Sequence, residues 1–479
     1  MDAPPDGRLP KGWTRLAALA WLGLLVLAVV AWRERALFMD ASFQAFHMLL
    51  EERLLIYHYR FCNALSQILP LAAIEAGLPL QAVLFGYSLN VWLLYFGLWL
   101  LLHGVLRHER LAWVWLLFLT LISLDSFYFI PPELFQGIGW MLLLWAWVAR
   151  RPDMAGWRFW LVALVLAATF TFAHSLVPLV FFYCFGWFWL DRRGWRHRRM
   201  VALAALVLAV MVAHELWFTD WYDAMKKEEF WRHARQYWPR YHELPANGRF
   251  LAKAVKFYYL LPALALLMSA VYAWRRCWLK LAWMWGFGLA FVLLLHIGSP
   301  ATAYRFYSEA NYMPLSVVVA LPFVFDGWAA FRQMAQRPRW AWLWPHGTLA
   351  LLALMLAVRL NAIWHNHDHF VRRLDWMVET VRHARHAWQT NRVLVPKARA
   401  PMDLIVMEWS VPYESVLATA LIHPDSAGEV FVRRDFERFR KWLEDERQGW
   451  FLSEFDQLPA DTLPDRYIRL GHWPFRLVE

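Results

Sequence analysis

Long apolar stretches separated by short polar breaks recur along the chain. At about 20 residues per membrane crossing, they predict helices near 13–32, 80–106, 111–130, 134–149, 157–173, 176–190, 199–218, 254–274, 279–298, 311–330 and 345–363, eleven in all. The segments 134–149 and 176–190 are short, which calls for tilt or shielding by neighbours. Segment 33–79 reads differently. It has no Pro before Pro70 and no Gly before Gly77, and Leu37, Phe38, Phe43, Phe46, Leu49, Leu50 and Leu54 recur at three and four residues. That spacing predicts amphipathic helices lying along the outer interface and returning through Pro70 to the second span. Beyond 363, residues 364–390 have a basic helical pattern, and 392–395 and 404–407 have the look of short strands. The expected fold is an α-helical polytopic membrane protein of about eleven spans over residues 1–363, followed by a small α/β domain over 364–479 on the outer face.

Composition agrees with the pattern. Hydrophobic residues make up 60% of the chain, with 34 Trp and 34 Phe, and charged residues only 18%, against about 25% in soluble domains. This excludes a soluble enzyme, and it excludes a disordered polymer, which needs low hydrophobicity and high charge. The net charge of +11 comes from 49 Lys and Arg against 38 Asp and Glu. The stretches 1–15, 107–110, 150–158, 191–199, 275–280 and 332–339 hold 19 of those basic residues and five of the acids, so the rest of the chain is net acidic. Basic residues confined to alternate loops are the positive-inside signature, so the charge reports orientation and not a nucleic-acid partner. The N-terminus is expected in the cytoplasm and the tail in the periplasm, in an inner (cytoplasmic) membrane. The first apolar run follows Arg8, Lys11 and Arg15 and precedes Arg33-Glu34-Arg35 without a small-residue cleavage site, which predicts an uncleaved anchor. Cys62, Cys184 and Cys277 fall in different compartments, so no disulfide is expected.

Candidate chemistry gathers in the outer segments, because the inner loops are too short to build a site. Asp40, within Phe38-Met39-Asp40-Ala41-Ser42-Phe43, places a carboxylate in apolar surroundings at the membrane boundary. That is unfavourable unless the group has a partner or a task. A helix cap, a salt bridge to Arg35 and a catalytic role all suit it.

One membrane helix, a long outer segment with an acid near its start, then Gln67-Ile68-Leu69-Pro70, Gly77 and Tyr87-Ser88-Leu89 leading into the second helix, resembles the GT-C superfamily of polytopic membrane glycosyltransferases. The resemblance covers roughly residues 10–330. It implies an inverting glycosyltransferase that moves a sugar from a polyprenyl-phosphate donor to a glycan, lipid or protein acceptor at the outer face, with the first-loop acid, here Asp40, as catalytic base. Many members also carry an outer soluble domain after the last helix. The chain departs from the adjacent-acid form of the family. Glu51-Glu52 lie three turns after Asp40, and Glu133 in Pro131-Pro132-Glu133 is the second-loop candidate, although an acid there equally suits a helix N-terminus.

A lipid-phosphate leaving group needs cations. Arg53, Arg60, Lys253 and Arg305, with His174 in the turn between the fifth and sixth spans, are the candidates, and each also suits an ordinary anionic headgroup. His214-Glu215 has the same double reading. His365-Asn366-His367-Asp368-His369 resembles a metal tract, but its spacing does not frame one closed site, so no metal or cofactor is expected. A transporter or lipid flippase and a non-catalytic membrane scaffold remain as alternatives.

Overall fold

The protein is described by a computed structural model over residues 9–130, 133–191, 198–302, 304–433, 449–471 and 473–477. Arg8, Pro131, Pro132 and the arginine-rich stretch 192–197 lie outside these residues. The chain is a helical membrane protein. Among the described residues six helices are long and apolar enough to cross a bilayer: Lys11–Val30, Leu80–Val105, Arg198–Trp217, Trp278–Gly298, Arg305–Met334 and Pro338–Trp388. Pro245–Lys256 and Leu260–Trp274, bent by 86° at their break, would together make a seventh.

In chain order the first helices are α1 (Lys11–Val30), α2 (Trp32–Ala36), α3 (Asp40–Glu51), α4 (Ile68–Glu75), α5 (Leu80–Leu100), α6 (Glu109–Thr120) and α7 (Glu133–Arg150). They are followed by α8 (Trp157–Ala173), α9 (Val177–Asp191), α10 (Arg198–Trp217), α11 (Trp221–Tyr237), α12 (Pro245–Lys256), α13 (Leu260–Trp274) and α14 (Trp278–Gly298). Helices α15 (Arg305–Tyr312), α16 (Pro314–Pro322) and α17 (Trp328–Met334) form one nearly continuous rod, interrupted at Phe323–Gly327 by a wider turn. α18 (His346–Trp388) is a single helix of 43 residues.

Loops expected on one face do meet. Leu9 N donates to Glu109 Oε2 at 2.6 Å, Arg150 to Val105 O, Arg199 to Asp153 O, and Lys280 Nζ lies 2.6 Å from Asp191 Oδ1. These contacts tie together the basic segments at the ends of α1, α5, α7, α9 and α14.

Three expectations change. The predicted span 111–130 stops at Thr120, because the chain needs its polar turn Ser123–Ser126 elsewhere; Arg359 of α18 satisfies the freed carbonyls, donating to Thr120 O at 3.2 Å and Ser123 O at 2.7 Å. The helical pattern of 33–79 divides in two. Glu52, with φ +51°, closes α3 in the left-handed region, and the chain resumes helical turns only at Phe61. Between them Gln67 acts as a surrogate strand, accepting from Leu55 N and donating to Leu55 O, both at 2.8 Å. Residues 404–407 are not a strand. Pro401 opens a helical turn, α19 (Met402–Ile405), and Val406 at φ +64° ends it; a four-residue apolar run carries no period that separates the two states.

No Pro or Gly lies between Gly347 and Pro396, so α18 runs about 65 Å through the predicted domain boundary at 363 and into the tail. There β1 (Arg392–Pro396) is the centre of a parallel sheet in the order β2-β1-β5, with β2 at Glu429–Arg433 and β5 at Arg476–Leu477; β3 (Trp450–Leu452) and β4 (Gln457–Pro459) form an antiparallel ribbon. The register sets Arg392 opposite Glu429, and the two make a fully buried ion pair at 2.9 Å. Helix α20 (Val411–Ala420) packs between this sheet and α3.

Gly137 lets α7 approach the α8–α9 turn: a Cβ there would lie 2.9 Å from Ala173 Cβ and 2.7 Å from Val177 Cγ2. Gly137→Val should therefore lower the apparent Tm of the purified protein in detergent, by the equivalent of about 1–3 kcal/mol. Gly97→Ala on α5, where a Cβ meets nothing within 4 Å, should leave the Tm unchanged or raise it slightly.

Candidate functional site

Asp40 is the first residue of α3, placed there by a kink at Met39, whose φ is +54°. The residue remains partly accessible, yet its carboxyl is enclosed by protein. Burial first, and then the negative charge of Glu133, push its pKa from the ordinary 3.8 up to about 7, while Arg60 pulls the other way. Glu133 begins α7, and Arg60 lies 3.5 Å from its carboxylate. The Phe61 and Phe172 rings pack 5.7 Å apart, which joins the Arg60 turn to the end of α8.

His174 terminates α8 there. Burial and the nearby Arg60 charge hold its imidazole down at about 3, so the ring is neutral. Its Nδ1 accepts from Leu176 N at 3.1 Å, which leaves the proton on Nε2. Helix α11 supplies the remaining wall. Arg60 sits over the Tyr222 ring at 5.9 Å, His58 stacks on the same ring at 4.6 Å, and His58 Nδ1 is hydrogen-bonded to Asp220. Burial foremost raises the Tyr222 phenol to about 12, keeping it a neutral donor. The site is thus the Glu133–Arg60 pair with the enclosed Asp40 carboxyl in the field of both, and a neutral imidazole and a tyrosine beside them.

The other predicted cations have different partners. Arg305 makes a bidentate pair with Asp125, Nε to Oδ2 at 2.7 Å and Nη2 to Oδ1 at 2.5 Å, and also reaches Asn366 at 2.9 Å. Lys253 Nζ donates to Ser308 Oγ at 2.7 Å in the same neighbourhood. Glu309 lies buried beside them and accepts from Leu124 N at 2.5 Å and Ser126 N at 2.8 Å. This second cluster connects to the first through aromatic packing, Phe38 against Phe306 at 5.2 Å. Arg53 pairs on the surface with Glu51, 2.5 Å away, and is 74% exposed. Of the five predicted phosphate ligands, Arg60 and His174 join Asp40 and Glu133, whereas Arg53, Lys253 and Arg305 do not.

Sequence reading passed over Tyr222, His58 and Asp220. A signal existed: Asp220 caps a polar helix, accepting from Asp223 N at 3.0 Å, and a polar helix between two apolar spans is out of place unless it covers something. Among the described residues no group of three or more His, Cys, Asp or Glu side chains is arranged to hold a metal ion. In the histidine tract, His365 bonds to Asn361 O at 2.9 Å while His367 pairs with Glu34 at 3.3 Å.

Comparison with known proteins returns no relative: no protein family, characterised protein or solved structure matches the chain. What the site can do rests on its own chemistry.

The Asp40 shift has a consequence for stability. Its folded pKa lies above the unfolded value, so between about pH 4 and pH 7 the native state binds more protons and stability falls as pH rises. Against pH, the Tm of the wild type should drop across this window relative to Asp40→Asn, and the two should run parallel above about pH 8. Parallel curves throughout would mean that Asp40 titrates normally.

Proposed function

We propose that the protein is an inverting glycosyltransferase that takes a sugar from a polyprenyl-phosphate donor and passes it to an acceptor hydroxyl at the outer face of the membrane. The observation carrying this reading is the placement of an enclosed carboxyl, Asp40 at the start of α3, in the field of the Glu133–Arg60 pair, whose charged groups are 3.5 Å apart. A base is most effective when its pKa lies near the working pH. Asp40 takes the proton of the acceptor hydroxyl as its oxygen attacks the anomeric carbon. The bond from that carbon to the phosphate oxygen breaks, and the lipid phosphate leaves with the electron pair. One displacement inverts the centre.

Arg60 receives the phosphate. Its 3.5 Å separation from Glu133 is longer than a charge-assisted hydrogen bond of about 2.7–2.9 Å, so the guanidinium is attracted to Glu133 without being locked to it. Nε2–H of His174 is a neutral donor beside it, and Glu133 orients Arg60. Neither step uses Arg53, Lys253 or Arg305.

The topology proposed with this function has eleven crossings, the N-terminus in the cytoplasm and the tail in the periplasm. The meeting of the basic loops at one end of the bundle supports it. A reporter fused at the C-terminus should give a periplasmic signal, and a cytoplasmic signal would put the α/β domain on the wrong side for this chemistry.

Asp40→Asn should reduce incorporation of labelled sugar from a panel of polyprenyl-phosphate donors by about 10²–10⁴-fold while the protein still folds into the membrane. The wild-type rate should rise with pH through the Asp40 midpoint near 7, and Glu133→Gln should cost less. Near-full activity in Asp40→Asn would remove the base assignment, and a wild type inactive with every donor would favour the scaffold alternative.

A further inference from the structure

Met39 is the strained point of the outer segment. Its φ of +54° and ψ of −123° lie where a residue with a Cβ is disfavoured, it is almost wholly buried, and it stands directly before Asp40. Nothing in its own sequence favours the conformation, so the surroundings must impose it. The groups that surround it belong to α18 and to the C-terminal domain.

Glu414 of α20 accepts from Met39 N at 3.1 Å through Oε1. The same carboxylate is held by Arg373 of α18 in a bidentate pair, Nε to Oε2 and Nη2 to Oε1, both at 2.7 Å. Ser410 Oγ adds a bond to Glu414 Oε1 at 2.6 Å and lies 3.0 Å from Met39 Sδ. Both members of the ion pair are buried to within 1%. Arg373 also donates to Leu404 O at 2.8 Å and to Ile405 O, and sits 5.2 Å over the ring of Phe38. A charged pair removed from solvent and converging on one strained peptide N–H is a fixed device.

We propose that Glu414 and Arg373 are positioning residues: the C-terminal domain clamps the Met39 kink and so aims Asp40 toward the Glu133–Arg60 pair. The role of Asp40 as base rests on the glycosyltransferase reading; the clamp itself does not. The charged and titratable groups facing Asp40 are Glu133 and Arg60, with Tyr87 and Tyr222 nearby. Releasing the kink lets the carboxyl turn away from Glu133 and toward water.

The test reads Asp40 directly and needs no sugar transfer. Purified full-length protein is treated with a hydrophobic carbodiimide, which modifies protonated carboxyls, and labelling at Asp40 is followed by mass spectrometry against pH. The wild-type midpoint should fall near 7. In Glu414→Leu, which removes both the acceptor of Met39 N–H and the partner of Arg373, it should move down by about one unit or more. In Met39→Gly/Glu414→Leu it should return, because glycine adopts positive φ without the clamp.

Glu429→Leu is the matched control. It breaks the other buried pair of the same domain, with Arg392, without touching Met39, and should leave the midpoint where it was. An unmoved midpoint in Glu414→Leu, or an equal shift in Glu429→Leu, overturns the clamp. Where Glu414→Leu does not fold, Ser410→Ala is read by the same criterion, a lower midpoint supporting the clamp and an unchanged one overturning it. Absence of transfer combined with the expected shifts would sink the enzymatic reading and leave the clamp standing.

Discussion

Backbone that leaves a helix in apolar surroundings must find partners for its N–H and C=O groups, and the rest of this structure depends on how that is done. Buried arginines do much of it. Arg35 donates to Phe127 O at 3.0 Å and to both Ser88 O and Ser88 Oγ, at 3.1 and 2.9 Å. Arg359 spreads over Thr120 O, Ser123 O and Phe257 O, and Arg373 over Leu404 O and Ile405 O. A guanidinium offers five donors in a planar fork, enough to close a broken helix end in one residue. Each of these side chains is 1% exposed or less. The irregular turns after α6 and at α19 are closed because these cations replace the missing ladder bonds.

The constraint explains what was legible in the sequence. Most helix positions were, because an apolar run of about 20 residues has the length of a membrane crossing; 111–130, which ends as a helix at Thr120, and 254–274, broken by the 86° bend between α12 and α13, were not. Some of the stretches grouped by charge alone do touch: Leu9 meets Glu109, Arg199 meets Asp153, and Lys280 meets Asp191. Asp40, Glu133, Arg60 and His174 stood out as polar groups in apolar context and lie together. The failures have a common cause. Arg359 was invisible as a structural tie because its partners are carbonyls, which every residue has, and Arg373 because its carboxylate partner Glu414 lies 41 residues away and its other partners are carbonyls. The end of α6 and the turn at Met402–Ile405 depend on those ties and were misread with them. Lys253 and Arg305 were placed beside a phosphate because sequence cannot show that Ser308 and Asp125 already hold them.

The site itself divides into a stiff and a softer half. Asp40, Glu133 and His174 stand at the termini of α3, α7 and α8, elements that pack against the bundle or the C-terminal domain. Arg60, His58 and Tyr222 come from the non-helical stretch before Phe61 and from α11, a helix with no buried residue. Few buried contacts mean low local stability. On the function proposed above, the donor and acceptor would enter from that side, with Asp40 held on the other.

Helix α18 has a mechanical consequence. Its 43 residues run unbroken from the predicted membrane segment to Arg373, about 40 Å from its first turn at 1.5 Å per residue. A continuous rod has no hinge to absorb tilt. If a thinner bilayer tilts its lower half by about 10°, the far end swings by roughly 7 Å at this length, more than the span of the contacts between Arg373, Glu414 and Met39. A tilt at the membrane end of α18 would therefore be carried to the backbone beside Asp40 and not absorbed on the way.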